Sequence, residues 1–159
     1  MSDDGRILVA VNPASGDITA FVVTSSGLNF GSKLSSHGAL PVSVTIHDGL
    51  VYVVNQLGIA NIAGFRVDQN GSLTYIDGST RALAGGALAL PAQISFTPDG
   101  LHLLVTEKGT DSIDVFDVQA DGHTTGPLTQ PSSGHTPFGF TFVCQRHCGG
   151  DGSGTAVPE

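Results

Sequence analysis

The chemistry this sequence could perform begins at Glu107, a carboxylate at the end of the apolar run Leu103-Leu104-Val105-Thr106, where two similar segments end in Asn12 and Asn55. A carboxylate at such a place, partly withdrawn from water, gains a raised pKa and becomes a candidate general base. Its neighbours by type are Lys108, next in the chain, and Arg81, His37 and His135 in the connecting stretches; Gln93 follows a Pro-led strand. Asn12, Asn55, Gln93 and Lys108 are the candidate ligand-binding groups. Each also has a plainer role. Glu107 can pair with Lys108 or a loop N–H, the two Asn can bond their own loops, Arg81 can sit in a surface ion pair, Gln93 can hold water, and a loop His is usually just exposed. No Ser nucleophile elbow, phosphate-cradling Gly loop or paired-Cys zinc motif is present.

These residues are positioned by a repeat. A Gly turn, an apolar strand, a loop and a strand with a central Phe occur three times: Gly5 to Phe21, Gly49 to Phe65 and Gly100 to Phe116. The glycines and the phenylalanines both step by 44 and then 51 residues. An all-strand period of about 40 to 50 predicts propeller blades. Ser26-Gly27, Asn70-Gly71 and Asp121-Gly122 then turn each Phe strand into an outer one, because such pairs supply the positive φ of a tight hairpin.

A Pro-led segment completes each unit: Pro41 to Ile46, Pro91 to Phe96 and Pro137 to Phe142. Apolar residues alternate with Ser43 and Thr45, Gln93 and Ser95, and Gly139 and Thr141, so each predicts a half-buried strand. The small polar face is expected to line a solvated central channel. The fold class is therefore all-β, a partial β-propeller of about three four-stranded antiparallel blades over residues 1–142, with repeats at about 2–46, 47–96 and 97–142. Longer loops and blade-to-blade crossings gather on one rim, and that rim is the candidate site. It should carry Asn12, Asn55, Glu107 and Lys108, with His37, Arg81 and His135 in the crossings; His47, His102 and His123 fall on the opposite rim.

Ser2 to Gly5 aligns with Thr97 to Gly100, which follow an inner strand, so the first blade is expected to lack its own and the propeller to be truncated at both ends. Residues 143–159 are Gly-rich and read as a disordered tail outside the propeller. Cys144, His147 and Cys148 lie there, too few for a zinc site, so neither metal nor cofactor is expected. Three blades cannot enclose a channel, so self-association through exposed blade faces is expected: the last strand swaps back to the first to complete three blades, and two such chains then form a six-bladed ring.

A net charge of -8 with six scattered basic residues excludes a nucleic-acid stripe. No apolar run approaches the roughly 20 residues that cross a bilayer. No secretory signal is recognisable, so the chain as given reads as cytoplasmic, with a periplasmic or secreted parent left open.

The strand Tyr52-Val53-Val54-Asn55 resembles the Tyr-Val-Thr-Asn repeat of bacterial surface and periplasmic propellers. Pro91 to Gly100, Val105 to Gly109 and Thr136 to Phe140 resemble the lactonase family of seven-bladed propellers, which includes 6-phosphogluconolactonase and carboxymuconate-lactonising enzymes. The likeness covers residues 2–142. It implies a small lactone or carbohydrate-derived ligand, hydrolysed or formed by general acid/base chemistry at a channel mouth, with a carboxylate among His and Arg groups. Glu107 would be the base, and Arg81 or His135 the donor for the developing oxyanion. A sugar phosphate would want more converging cations than Lys108 and Arg81. The alternative is a non-enzymatic propeller module that binds a protein or glycan, and a chain of three blades is expected to be inactive alone.

Overall fold

The computed structural model describes residues 1–2 and 4–143; among them it forms three antiparallel sheets and no α-helix. The first sheet contains β1 (Ile7–Asn12), β2 (Asp17–Thr24) and β3 (Gly27–Ser35) in that order. The second contains β4 (Ala39–His47), β5 (Leu50–Leu57), β6 (Asn61–Val67) and β7 (Leu73–Tyr75), with the two-residue β8 (Arg81–Ala82) also paired to β6. The third runs from β9 (Pro91–Phe96) through β10 (His102–Glu107) and β11 (Ser112–Val118) to β12 (Thr124–Pro131). The blades thus have three, five and four strands: the first lacks an inner strand, as expected, the third has the expected four, and the second has one more. In the second, β7 is only three residues long, and the returning chain fills the rest of the β6 edge with β8.

The hairpin registers make the repeats structurally equivalent. Phe21 lies opposite Leu8, Phe65 opposite Val51 and Phe116 opposite Leu103. Counting from these pairs, Asn12, Asn55 and Glu107 occupy one position, each opposite the first residue of the Phe strand: Asp17, Asn61 and Ser112. The turns that set this register use positive φ, as at Gly49 (φ 73°) and Gly122 (φ 90°), where a Cβ would be strained.

Two cores lie between the blades. Val51, Val53 and Phe65 of the second blade pack on Ile7, Val9, Ile18 and Ala20 of the first. Leu50, Tyr52, Val54 and Ile62 pack on Ile94, Phe96, Leu103, Val105 and Phe116 of the third. Every residue of β5 from Leu50 to Asn55 is buried because alternate side chains enter opposite interfaces. Each Phe projects towards the preceding blade: Phe65 and Phe116 are completely buried, whereas Phe21 is only half-buried.

The polar faces of the inner strands make contacts that periodicity alone does not give. Ser43 and Thr45 of β4 are half-buried, and their hydroxyls accept hydrogen bonds from the backbone N–H groups of Ile94 (3.2 Å) and Phe96 (3.3 Å) on β9. Gln93 clasps the backbone of Phe140, donating to its carbonyl at 2.9 Å and accepting from its N–H at 3.0 Å. β4 and β9 belong to separate sheets and share no ladder, so short polar side chains satisfy the backbone edge instead.

Residues 137–142 follow this inner path but form no strand. A strand needs a ladder partner, and among the described residues none stands beside this segment; the Gln93 amide and the Thr106 hydroxyl, which donates to the Phe138 carbonyl at 2.7 Å, hold it. It remains on the third blade, so the last strand does not swap back to the first blade within one chain.

Candidate functional site

The equivalent positions at the strand ends form three variants of one clasp. Asn12 Nδ2 donates to Asp17 Oδ1 (2.6 Å) and Thr19 Oγ1 (2.8 Å). Asn55 is fully buried, and its Nδ2 donates to the Ser36 carbonyl (3.0 Å) and Asn61 Oδ1 (3.0 Å), while its Oδ1 has no hydrogen-bond partner among the described residues. In the third blade a carboxylate replaces the amide. A carboxylate only accepts, so its neighbours must be donors: Ser112 Oγ (3.2 Å) takes the place of Asp17, and Thr110 Oγ1 and the Gly85 N–H (3.1 Å) complete the shell of Glu107.

Glu107 is completely buried. The crossing from the second blade covers it, through a 3-10 turn at Gly86–Leu88 whose neighbour Gly85 lies so close that a Cβ there would stand 2.5 Å from Glu107 Oε2. Asp114, also fully buried, lies on the adjacent strand, opposite Val105 and so two residues from Glu107 in the register. Its Oδ2 accepts from the Ala84 N–H (2.8 Å) and its Oδ1 from Thr129 Oγ1 (2.7 Å). Burial first, then the neighbouring Glu107 carboxyl, push the Asp114 pKa up to about 6, against the Ala84 and Thr129 bonds. Sequence reasoning passed over Asp114. The signal was there, since it occupies the position of Thr19 and Ala63 in the other Phe strands.

The loop after Glu107 carries the second group. Asp111 Oδ2 bonds His135 Nδ1 at 2.6 Å, and its Oδ1 accepts from the Thr136 N–H at 2.7 Å. These bonds hold Asp111 below the usual carboxylate range, and Asp111 in turn raises the His135 pKa. The His135 side chain is 94% exposed. Asp111 too was missed, because nothing in its local pattern shows that the segment around residue 135 returns to this loop. Lys108 Nζ stands 5.0 Å above the centre of the Phe138 ring, a cation–π contact beside the same loop.

Other expected members lie elsewhere. The Arg81 guanidinium is engaged by the carbonyls of Gly78 (2.7 Å), Thr80 (2.9 Å) and Thr124 (3.2 Å), and these bonds do not bring it to Glu107. His37 stacks on Tyr75 with ring centres 3.5 Å apart. Gln93 is occupied by Phe140, and Asn12 and Asn55 by their own clasps. His102 and His123 pair with Asp117 and Asp121 at the far rim.

A depression of about 370 Å³ opens among Ala84, Gly85, Glu107, Thr110, Asp111 and Thr129. Another of about 250 Å³ lies at the far rim between the first two blades, near Arg6, Asp48 and Asp68, away from these groups. Among the described residues no group of three or more His, Cys, Asp or Glu could hold a metal ion, and no helix is long and apolar enough to cross a membrane. Cys144, His147 and Cys148, with the tail expected over 143–159, fall outside the described residues except for Val143.

Residues 78–145 match the family model "Lactonase, 7-bladed beta-propeller". The fold is similar to a Bacteroides fragilis protein assigned as a 6-phosphogluconolactonase, at TM-score 0.73 and 22% identity over 86% of this chain and 38% of that one. It is similar to the periplasmic gluconolactonase of Pseudomonas aeruginosa, at TM-score 0.71 and 22% identity over 90% and 41% of the two chains. A Lactobacillus plantarum protein matches at TM-score 0.66 and 25% identity, over 79% and 38%. The chain thus spans about two fifths of the length of these structures. The sequence matches no curated protein.

Proposed function

We propose that this chain, which carries blades resembling those of the lactonase seven-bladed propellers, bears a rim site for hydrolysis or formation of a lactone, with His135 as its general acid/base. The observation that supports this most is the Asp111–His135 pair. Asp111 holds Nδ1 at 2.6 Å, which fixes the tautomer with a proton on Nδ1 and leaves the Nε2 lone pair facing solvent. In hydrolysis, Nε2 takes a proton from the water that attacks the lactone carbonyl. The protonated ring then returns it to the ring oxygen as the C–O bond breaks, and lactone formation is the reverse. Lys108, steadied over Phe138, supplies positive charge for the oxyanion or for a carboxylate on the ligand.

Glu107 is the positioning residue in this reading. Its oxygens are spent on Gly85, Thr110 and Ser112, so it holds the 108–111 loop and the crossing rather than activating water. Exposed apolar side chains on the crossing and the following segment, Leu88, Leu90 and Phe138, border the loop. With Arg81 engaged by carbonyls and a chain of net charge -8, a phosphorylated lactone is disfavoured and a neutral one fits better.

The test is a pH-stat assay on glucono-δ-lactone and on an alkyl γ-lactone, with the wild-type chain beside His135→Ala and Asp111→Asn. The expected result is a wild-type rate above the spontaneous one that falls by about 10² or more in His135→Ala. No rate above background, or equal rates in wild type and variant, overturns this assignment and favours the non-enzymatic binding module.

A further inference from the structure

The crossing from the second blade to the third has no polar side chain from Ala82 to Ala92, whereas the crossing before the second blade carries Ser36 and His37, and the segment after the third carries Ser132, Ser133, His135 and Thr136. Leu83 and Ala89 of this crossing are buried, but Leu88 is 73% exposed and Leu90 45%. On one side the Ala60 N–H donates to the Gly86 carbonyl (3.3 Å) and the Leu83 N–H to the Ala60 carbonyl (2.9 Å), which joins the crossing to the loop bearing Leu57 and Ile59, both exposed. On the other side the Lys108 N–H donates to the Leu90 carbonyl (3.3 Å) and the Gly109 N–H to the Ala89 carbonyl (2.9 Å). An exposed aliphatic strip on the middle blade and its junction with the third therefore runs up to the loop that carries Lys108 and Asp111.

Backbone strain marks the same place. Leu40, Leu90 and Thr136, each just before the Pro that leads an inner segment, all take positive φ, at 57°, 46° and 56°. That conformation is disfavoured for any residue with a Cβ, and strain of this kind gathers where ligands are held. At Thr136 it has a visible use, since the turn aims the Thr136 N–H and His135 Nδ1 at the two oxygens of Asp111. Glycine would make the same turn at positions 40 and 90 without strain. What the leucines add there is their side chains, half-buried at Leu40 and exposed at Leu90.

We propose that the ligand of this rim is a lactone bearing an alkyl or similarly apolar substituent, which lies along Leu88 and Leu90 towards Ile59 while the ring stands at Lys108 and His135. The inference rests on the lactone reading above and narrows its substrate class. A polyhydroxylated ring would need several polar partners, and those near the loop are engaged: Glu107 by Gly85, Thr110 and Ser112, Gln93 by Phe140, and Arg81 by carbonyls. An aliphatic chain needs only apolar area, which the crossing offers. Full burial of a methylene corresponds to a factor of about four in binding, so an open strip that covers one side of the chain should give about twofold per methylene.

The test pairs hydrolysis with binding, on γ-lactones whose side chains run from methyl to hexyl and on their ring-opened hydroxy acids, with glucono-δ-lactone and gluconate beside them. The proteins are wild type, His135→Ala and the double variant Leu88→Ser/Leu90→Gly, whose glycine suits the backbone at position 90; circular dichroism checks that each is folded. In wild type the His135-dependent rate and the calorimetric affinity for the hydroxy acid should both rise about tenfold or more from methyl to hexyl, and the double variant should hold that ratio to about threefold or less. Hydrolysis that depends on His135 but is indifferent to chain length, or favours glucono-δ-lactone, overturns this inference and leaves the proposed function standing. Affinity that rises with chain length without any hydrolysis supports the apolar strip and overturns the catalytic reading; neither rate nor affinity overturns both. A chain-length preference that survives in the double variant, or light scattering that finds wild type dimeric and the variant monomeric, overturns the strip as the ligand's seat.

Discussion

Glu107 and Asp114 are two buried carboxyl groups on adjacent strands of the third blade, and each holds one of two consecutive backbone amides, Gly85 and Ala84. Strands that are distant in sequence from the crossing thereby pin it over the loop that presents Asp111.

The pair makes stability depend on pH in an unusual sense. The Asp114 pKa is raised from 3.8 to about 6, so the folded state binds more protons than the unfolded state between those values. Stability should therefore fall as pH rises from about 4 to about 6.5, by up to about 3 kcal/mol, and then level off. Asp114→Asn should flatten that slope and be the more stable protein at pH 7.5. Urea melts at a series of pH values would show it; a wild-type curve that rises through this window contradicts the raised Asp114 pKa.

Exposed carboxylates act oppositely at lower pH. Asp4, Asp99, Asp111 and Asp121 are held below their usual range by hydrogen bonds, so the stability they add is present above about pH 4 and is lost on further acidification. The expected full profile has its maximum near pH 4 to 5, readable in the same melts.

Two glycines allow the crossing to touch the loop. A Cβ at Gly109 would run into the Leu88 carbonyl oxygen, and one at Gly85 would lie 2.8 Å from Thr110 Cγ2 and 2.9 Å from the Ala89 Cα. Because the obstacles include backbone, Gly109→Ala should cost about 2 to 4 kcal/mol. Gly134→Ala, with nothing within 4 Å, is the control and should melt as wild type does.

The hydroxyl stitches between inner strands can be removed nearly isosterically. Ser43→Ala and Thr45→Val each leave a backbone N–H of β9 without its acceptor, at about 1 to 2 kcal/mol apiece. Hydrogen exchange should quicken at Ile94 and Phe96 in these variants. Unchanged protection there would show that solvent replaces the hydroxyls without loss.

If His135 carries a reaction, its pH dependence is set by Asp111. The carboxylate raises the His135 pKa, and the neutral ring is the base, so the rate should rise through a midpoint above 6.5. Asp111→Asn should move that midpoint down and lower the plateau by about tenfold or more. A midpoint unmoved by Asp111→Asn would assign the titration to another group.

Much of this architecture was legible in the residues. The Gly turns fix hairpin positions through positive φ, the Phe spacing fixes the register, and the doubly apolar strand Leu50 to Val54 requires cover on both faces, so three stacked blades follow from local rules. The equivalence of Asn12, Asn55 and Glu107 was visible for the same reason. What only the folded chain decided is where long-range partners fall: Ser43 and Thr45 met the backbone of β9, Arg81 reached the Thr124 carbonyl, Glu107 met the Gly85 N–H, and Asp111 met His135. Periodicity specifies which face of a strand a side chain takes, because that depends on neighbours two residues away. It does not specify what stands opposite across a gap between blades, which depends on contacts some twenty to fifty residues distant that the pattern alone leaves free.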